Sequence, residues 1–269
     1  MKHVGTSILT GAAVAVLMSA PPSAQAQSLG DARSYAVLGA QAVTNTGPSV
    51  IKGDLGISPK NMSSISGFPP GLVYGTTHAA DGVALAAQNS TTALYIFLES
   101  QLLPVDLTGQ DLGGMTLTPG VYHFSTSAQL TGQLTLDAQG NPDAVFIFQI
   151  GSTLTTASGS SVAMSGSGSP CNVFWQVGSS ATLGTTTSFA GNIVALTSIT
   201  LNTGSQMTGR ALARNGAVTL HSNSVDGAVC GASVLPGPLP VPALPPWAVI
   251  FLMALVAAAG FAAVRRRTA

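Results

Sequence analysis

The sequence predicts a mostly β fold: a three-faced β-helix, or solenoid, with one long α-helix packed along one face. Three observations predict it. A short Thr-containing pattern recurs at a nearly fixed interval, an apolar strand-like run precedes each copy, and one alanine-rich segment has helical spacing. Composition agrees. Only 7% of the 269 residues are charged and 46% are hydrophobic, with 31 Gly, 29 Ser and 27 Thr. An ordinary soluble domain is about 25% charged. That much apolar material excludes a disordered chain. Nine Lys and Arg, three of them in the last five residues, leave no basic face for nucleic acid. Ionisable groups are too few to build most catalytic sites.

The elements follow in chain order. Lys2 and His3, the apolar run Ile8 to Met18 and Ala24-Gln25-Ala26 read as a signal peptide over 1–26. The run is too short to span a bilayer well. The exported domain is then 27–235, with five Lys and Arg against eight Asp and Glu99, a net charge of −4. Residues 79–103 form the helix, with Ala80, Val83, Ala84, Ala87, Leu94, Tyr95, Leu98 and Leu102 on one face. Thr77 caps it, Asp81 suits its first turn, and Pro104 ends it. About 25 residues span roughly 37 Å, or seven to eight rungs.

The repeats come next. Thr153-Leu154-Thr155-Thr156, Thr182-Leu183-Gly184-Thr185, Thr200-Leu201-Asn202-Thr203 and Thr219-Leu220-His221-Ser222 share a T-L-x-T/S pattern. The last three, starting at Thr182, Thr200 and Thr219, are almost evenly spaced. The interval from Thr153 to Thr182 is longer, and Ser165–Pro170 accounts for the excess as a loop. The runs 145–150, 173–177, 193–196 and 211–213 are continuously apolar, as strands buried on both faces are. A third strand follows, as in Thr187–Ala190. Cys171 and Cys230, two cysteines in an exported chain, are a disulfide candidate; the alternative is two unpaired buried thiols. Residues 236–246 (PGPLPVPALPP) form a semi-rigid linker. Residues 247–264 are uncharged and long enough for a transmembrane or sorting helix. Trp247 suits one interface, and Arg265, Arg266 and Arg267 hold a basic cytoplasmic tail, 265–269.

If the Leu of each repeat points inward, Thr153, Thr182, Thr200 and Thr219 point outward in a column. A second column is Thr155, Gly184, Asn202 and His221. The candidate binding residues are therefore Thr153, Thr155, Thr182, Thr200, Asn202 and Thr219. Thr presents a hydroxyl to ordered water beside a methyl, and β-branching fixes its rotamer. An exposed strand also favours Thr for its own sake. Thr203, Ser205 and Thr208 around the next corner are alternatives, and Thr44 and Thr46 are candidate extensions.

Other chemical motifs lack the partners their chemistry needs. Ser49-Val50-Ile51-Lys52 fits S-x-x-K but lacks its partner motifs. His78, His123 and His221 have no metal-ligand spacing, and His78 belongs to the helix start. Asp54, Asp137 and Asp143 read as turn residues. No catalytic residue, metal or cofactor is expected.

Several segments in order resemble the DUF3494 ice-binding family, from about Leu29 to Val229. They include Tyr35-Ala36-Val37-Leu38, Gly53-Asp54-Leu55-Gly56, Gly67-Phe68-Pro69-Pro70-Gly71, Leu117-Thr118-Pro119-Gly120-Val121-Tyr122, Phe146-Ile147-Phe148-Gln149-Ile150 and Gly209-Arg210-Ala211-Leu212-Ala213. The resemblance implies a right-handed, discontinuous β-helix beside one long helix, and adsorption to ice through a flat solenoid face. The C-terminal V-P-A-L-P-P-W, apolar run and Arg cluster resemble the IPTL-type relatives of PEP-CTERM sorting tags of Gram-negative bacteria. Val241-Pro242-Ala243-Leu244 stands in place of I-P-T-L. That resemblance implies a membrane-embedded sorting protease that removes the tail. The expectation is a non-enzymatic, exported ice-binding protein of the cell envelope or extracellular space, tethered by a C-terminal segment that is removable. The alternative is an adhesin or matrix solenoid that binds polysaccharide or another surface.

Overall fold

Among the described residues every strand pairing is parallel, which suits short strands joined by corners into a coil. The structure is a computed structural model and describes residues 29–230 other than Leu103. The leader (1–26), linker, apolar run and basic tail (236–269) lie outside the described residues.

Three sheets form the three faces. Sheet A has nine strands, in spatial order Thr77–Ala79, Asp54–Ile57, Tyr35–Gly39, Ala211–Ala213, Asn192–Ala195, Val173–Val177, Phe146–Ile150, Gly120–Phe124 and Val105–Asp106. Sheet B has seven: Ala128–Leu130, Leu154–Thr156, Ala181–Leu183, Ile199–Leu201, Val218–His221, Val43–Thr46 and Ile65–Ser66. Sheet C has eight, running from Leu72–Tyr74 through Val50–Lys52, Ser224–Asp226, Gln206–Thr208, Ser188–Ala190, Ser161–Ser165 and Gln133–Asp137 to Thr116–Leu117.

Spatial order is not chain order. Residues 35–79 build the coils at one end. The helix then runs back along sheet A, and residues 105–226 stack toward those first coils. The last coil therefore docks on the first: Val37 faces Ala211, Thr44 faces Thr219, and Ile51 faces Val225. Arg210, fully buried, clasps this seam. Its Nε and Nη2 donate to the Arg33 carbonyl and its Nη1 to Asn192 Oδ1, at 3.0, 2.5 and 3.0 Å. Asn192 in turn donates to the carbonyls of Cys171 and Val173. Neither acceptor of the guanidinium, the Arg33 carbonyl or Asn192 Oδ1, is a carboxylate, and burial lowers its pKa to about 10.

Sheet A is buried on both sides, as its apolar runs require. Phe146, Phe148, Val173, Trp175 and Ile193 face the solenoid interior, while Ile147, Phe174, Val194 and Leu212 meet the helix. Trp175 lies flat on Phe148, with ring centroids 3.9 Å apart, and donates its indole N–H to the Ala190 carbonyl. At the B/C corner the inward residues are polar and mutually bonded. Thr156 meets Thr187, and Asn223 donates to Ser205 Oγ and to the Asn202 and Ser205 carbonyls. At the A/C corner the chain turns on Gly209, at φ +140°; a Cβ there would lie 2.0 Å from the Gly191 carbonyl.

The helix is shorter than its periodicity suggests, Gly82–Glu99, about 27 Å. Thr77 sits in an edge strand paired with Leu55, Ala80 turns at φ +53°, and Asp81 is the cap, accepting from the Ala84 N–H at 2.7 Å. At the other end, Gln149 Nε2 donates to the carbonyls of Leu98, Glu99 and Gln101, so the helix closes before Pro104. Ala84, Ala87, Leu94, Tyr95 and Leu98 are buried, but Val83 and Leu102 are exposed. Gln88 and Thr91 complete the buried stripe: Gln88 donates to the Ala213 and Arg214 carbonyls, and Thr91 to that of Ala87.

Candidate functional surface

Sheet B is the face on which the Thr residues converge. In each of its three-residue strands the outer two side chains point inward and the middle one outward. Leu154 and Thr156, Ala181 and Leu183, and Ile199 and Leu201 are buried, while Thr155, Thr182 and Thr200 reach solvent. Strand register then sets the outward row: Gln129, Thr155, Thr182, Thr200, Thr219, Thr44, Ser66. Five consecutive Thr occupy its middle. Six steps of about 4.8 Å make the row about 29 Å long. Thr44 Oγ1 donates to Thr219 Oγ1 at 3.3 Å, linking the row across the seam.

The register corrects the assignment of Thr153. Leu154 pairs with Ala181 and Thr155 with Thr182, so Thr155 and not Thr153 continues the row. In this coil the motif Leu takes the first inward position. In the next two coils Leu183 and Leu201 take the second, where the first coil has Thr156. The pattern is therefore displaced by two positions. Thr153 lies beside the row at the A/B corner, half-buried, donating to Ser127 Oγ at 2.8 Å. Asn202 and His221 follow Leu201 and Leu220 in a second, incomplete row, which Thr46 extends opposite His221 and Gly184 interrupts. Ser205 is buried and bonded within the corner, and Thr208 lies on sheet C. Thr44 and Ser66 join the row through a long-range pairing that no local pattern announces.

None of the seven strands of sheet B contains Lys, Arg, Asp or Glu. The nearest acid in register is Asp111, bridged to Gln129 at one end. Burial works against its ionisation, but N–H bonds from Gly113 and Thr131 outweigh this and hold its carboxyl below the ordinary range. Three other charged side chains lie on other faces. Lys52 pairs with Asp226 at 3.0 Å on sheet C, and Arg214 lies over the Tyr95 ring by the helix.

Alternative sites carry less. Ser49 and Lys52 are divided between the inside and the outside of the coil, Ser49 accepting from the Asn223 N–H. His78 bonds Asp81 at the helix start. Asp54 accepts from the Thr76 N–H from within a strand, not a turn. A cleft of about 240 Å³ beside the helix end is lined by Tyr95, Glu99, His123 and Gln149 among others. It is smaller than typical ligand sites, and the Gln149 amide N–H already serves the helix carbonyls. Among the described residues no group of three His, Cys, Asp or Glu is placed to hold a metal, and no helix is long and apolar enough to cross a membrane. Cys171 and Cys230 are joined, with Cα atoms 5.2 Å apart.

Comparison with known proteins gives consistent matches. The ice-binding-like family profile covers residues 37–226, and the IPTL-CTERM motif covers residues 240–267. An ice-binding protein of Nostoc sp. (strain HG1) is 58% identical over 207 residues, 77% of this chain and 76% of the relative. The crystal structure of an ice-binding protein from an Antarctic biological consortium is 44% identical with a TM-score of 0.73, covering 80% of this chain and 96% of that one. That of the Antarctic ascomycete Antarctomyces psychrotrophicus is 40% identical with a TM-score of 0.71, over 74% and 97%.

Proposed function

Because the chain belongs to the ice-binding-like family, we propose that it is an exported protein that adsorbs to ice through sheet B. The observation that carries this is the unbroken row Thr155, Thr182, Thr200, Thr219 and Thr44 on a face whose strands hold no charge. Each Thr offers a hydroxyl to lattice water and a methyl that keeps the face partly apolar. The rungs fix the backbones and β-branching restricts χ1, so little entropy remains to be lost on contact. The absence of ionic side chains matters because a strongly hydrated charge would have to shed its water at the ice surface. Asn202 and Thr153 flank the row and widen the contact. Adsorbed molecules pin the ice front, limiting growth or recrystallisation. This action involves no reacting centre, so the protein is read as non-enzymatic.

The sorting motif supports export. We read 1–26 as a cleaved leader and 247–264 as a segment that holds the chain in the envelope until a sorting protease removes it. No outward residue of the sheet B row is aromatic, which leaves the polysaccharide-adhesin alternative without a stacking platform. A growing ice crystal in the purified protein tests the proposal. Faceting and arrested growth are expected; unfaceted growth indistinguishable from buffer overturns it.

A further inference from the structure

One side chain in the strands of sheet B can still acquire a charge. His221 ends the strand Val218–His221, in which Val218 and Leu220 are buried while Thr219 and His221 face outward. Register places it opposite Thr46, and Asn202 holds the matching position on the adjoining rung. It therefore shares the face with the Thr row, two positions from Thr219. Its backbone is held on both sides: its N–H donates to Asn223 Oδ1, and its carbonyl accepts from the Gly204 N–H at 3.2 Å. Among the described residues no hydrogen bond or ion pair reaches the imidazole. The two other histidines described lie beside acids: His78 is bonded to Asp81, and His123 shares its cleft with Glu99.

No acid among the described residues is placed to balance a proton on His221. The adjoining strands Ile199–Leu201 and Val43–Thr46, and the B/C turns 47–49, 67–71, 202–205 and 222–223, hold no titratable side chain. Behind it, Ala211–Ala213 has none, and Tyr35 of Tyr35–Gly39 packs toward the helix beside His78. Asp226, in the strand that follows, is paired with Lys52 on sheet C. Asp111 is bridged to Gln129, at the far end of the Thr row. Four rung steps separate Gln129 from Thr219, about 19 Å, beyond the roughly 8 Å over which salt screens exposed charges.

We propose that His221 is a contact residue of the ice-binding face and that only its neutral form fits ice, so that adsorption weakens as pH falls through the imidazole range. The inference rests on the proposed role of sheet B. Each lattice water both donates and accepts hydrogen bonds. So do the hydroxyls of the Thr row and the amide of Asn202, and so does a neutral imidazole, with one donor and one acceptor nitrogen. The protonated ring has two donors, no acceptor and a charge whose water must be shed at the surface with no counter-ion in reach. Protonation and adsorption then compete. The apparent affinity scales with the neutral fraction, so below the titration point it falls by up to about tenfold per pH unit.

The test is thermal hysteresis of the full chain between about pH 8 and pH 5, the interval in which histidines titrate. Ionic strength is held fixed and Tm is recorded beside each point. His221→Gln keeps a neutral donor and acceptor at every pH, and His221→Lys keeps a charge throughout. The original protein is expected to lose hysteresis several-fold from the upper to the lower pH, His221→Gln to hold its upper-pH level, and His221→Lys to be weak at both, all remaining folded at the assay temperature. Undiminished hysteresis of the original protein at the lower pH, or full hysteresis in His221→Lys, overturns the inference and leaves the function of sheet B standing. An equal fall in the original protein and in His221→Gln assigns the titration to another group, and overturns it too. If the original protein shows no hysteresis even at the upper pH, the ice-binding reading fails and the inference with it.

Discussion

Replacing Asn192 with Ala should open the seam between the last coil and the first. Asn192 is fully buried and makes three bonds: Nδ2 to the Cys171 and Val173 carbonyls at 3.0 and 3.1 Å, and Oδ1 accepting from Arg210 Nη1 at 3.0 Å. Its loss leaves a buried guanidinium with the Arg33 carbonyl as its remaining partner among these bonds. Removing a hydrogen-bond partner from a buried charged group costs about 3 kcal/mol. For a domain of this size each kcal/mol moves Tm by about 2–4 °C, so a fall of roughly 10 °C is expected. Asn215→Ala, on an exposed corner, is the control and should stay within about 0.5 kcal/mol. Amide exchange locates the effect. Tyr35–Gly39, whose entry is held by Arg210, should lose protection before Phe146–Ile150, far from the seam. An unchanged Tm, or uniform loss of protection along the solenoid, would refute the clasp.

Other perturbations have distinct signatures. The Cys171–Cys230 bond joins positions at a sequence separation of 59, so the double Ser variant should lose about 4 kcal/mol on the chain-entropy account; equal urea midpoints would contradict it. Thr186 is a β-branched residue at φ +56°, and Thr186→Gly should raise stability by up to about 1 kcal/mol as strain is relieved, read as a higher Tm. Asp81 is held below the usual carboxylate range first by the Ala84 N–H and then by His78; Asp106 is held there by the Thr108 hydroxyl and N–H. A depressed folded pKa means stability that is present above the ordinary range near about pH 4 and lost as pH falls through the folded values. Thermal scans from pH 6 to pH 2 should show that loss, and Asp81→Asn should flatten it.

Much of this architecture is legible in the residues, for identifiable reasons. The rungs recur almost evenly at Thr182, Thr200 and Thr219, and doubly buried strands leave unbroken apolar runs. The first repeat misleads because T-L-x-T matches at two registers. Only strand pairing distinguishes Thr153 from Thr155. Helical spacing runs past the true helix because Ala80 and Leu102 continue it, while the limits are set by a cap at Asp81 and by Gln149, a side chain remote in sequence. The seam is invisible locally, since Thr44 and Thr219 meet from opposite ends of the domain. Arg210 sits in a matched segment, but nothing adjacent to it indicates that it is buried.

Thermal hysteresis of Thr200→Tyr beside Leu201→Ala tests most directly whether the sheet B row contacts ice. Thr200 reaches solvent in the middle of the row; Leu201 is fully buried at the next position. Tyr at 200 projects a ring from the row and holds its neighbours off the lattice, yet exposed changes alter stability by less than about 0.5 kcal/mol. Leu201→Ala costs about 2–5 kcal/mol and leaves the face in place in every folded molecule. Thr200→Tyr should lose most of its hysteresis at an unchanged Tm, while Leu201→Ala should melt lower and retain hysteresis below its transition. Full hysteresis in folded Thr200→Tyr would move the ice-contacting surface off sheet B.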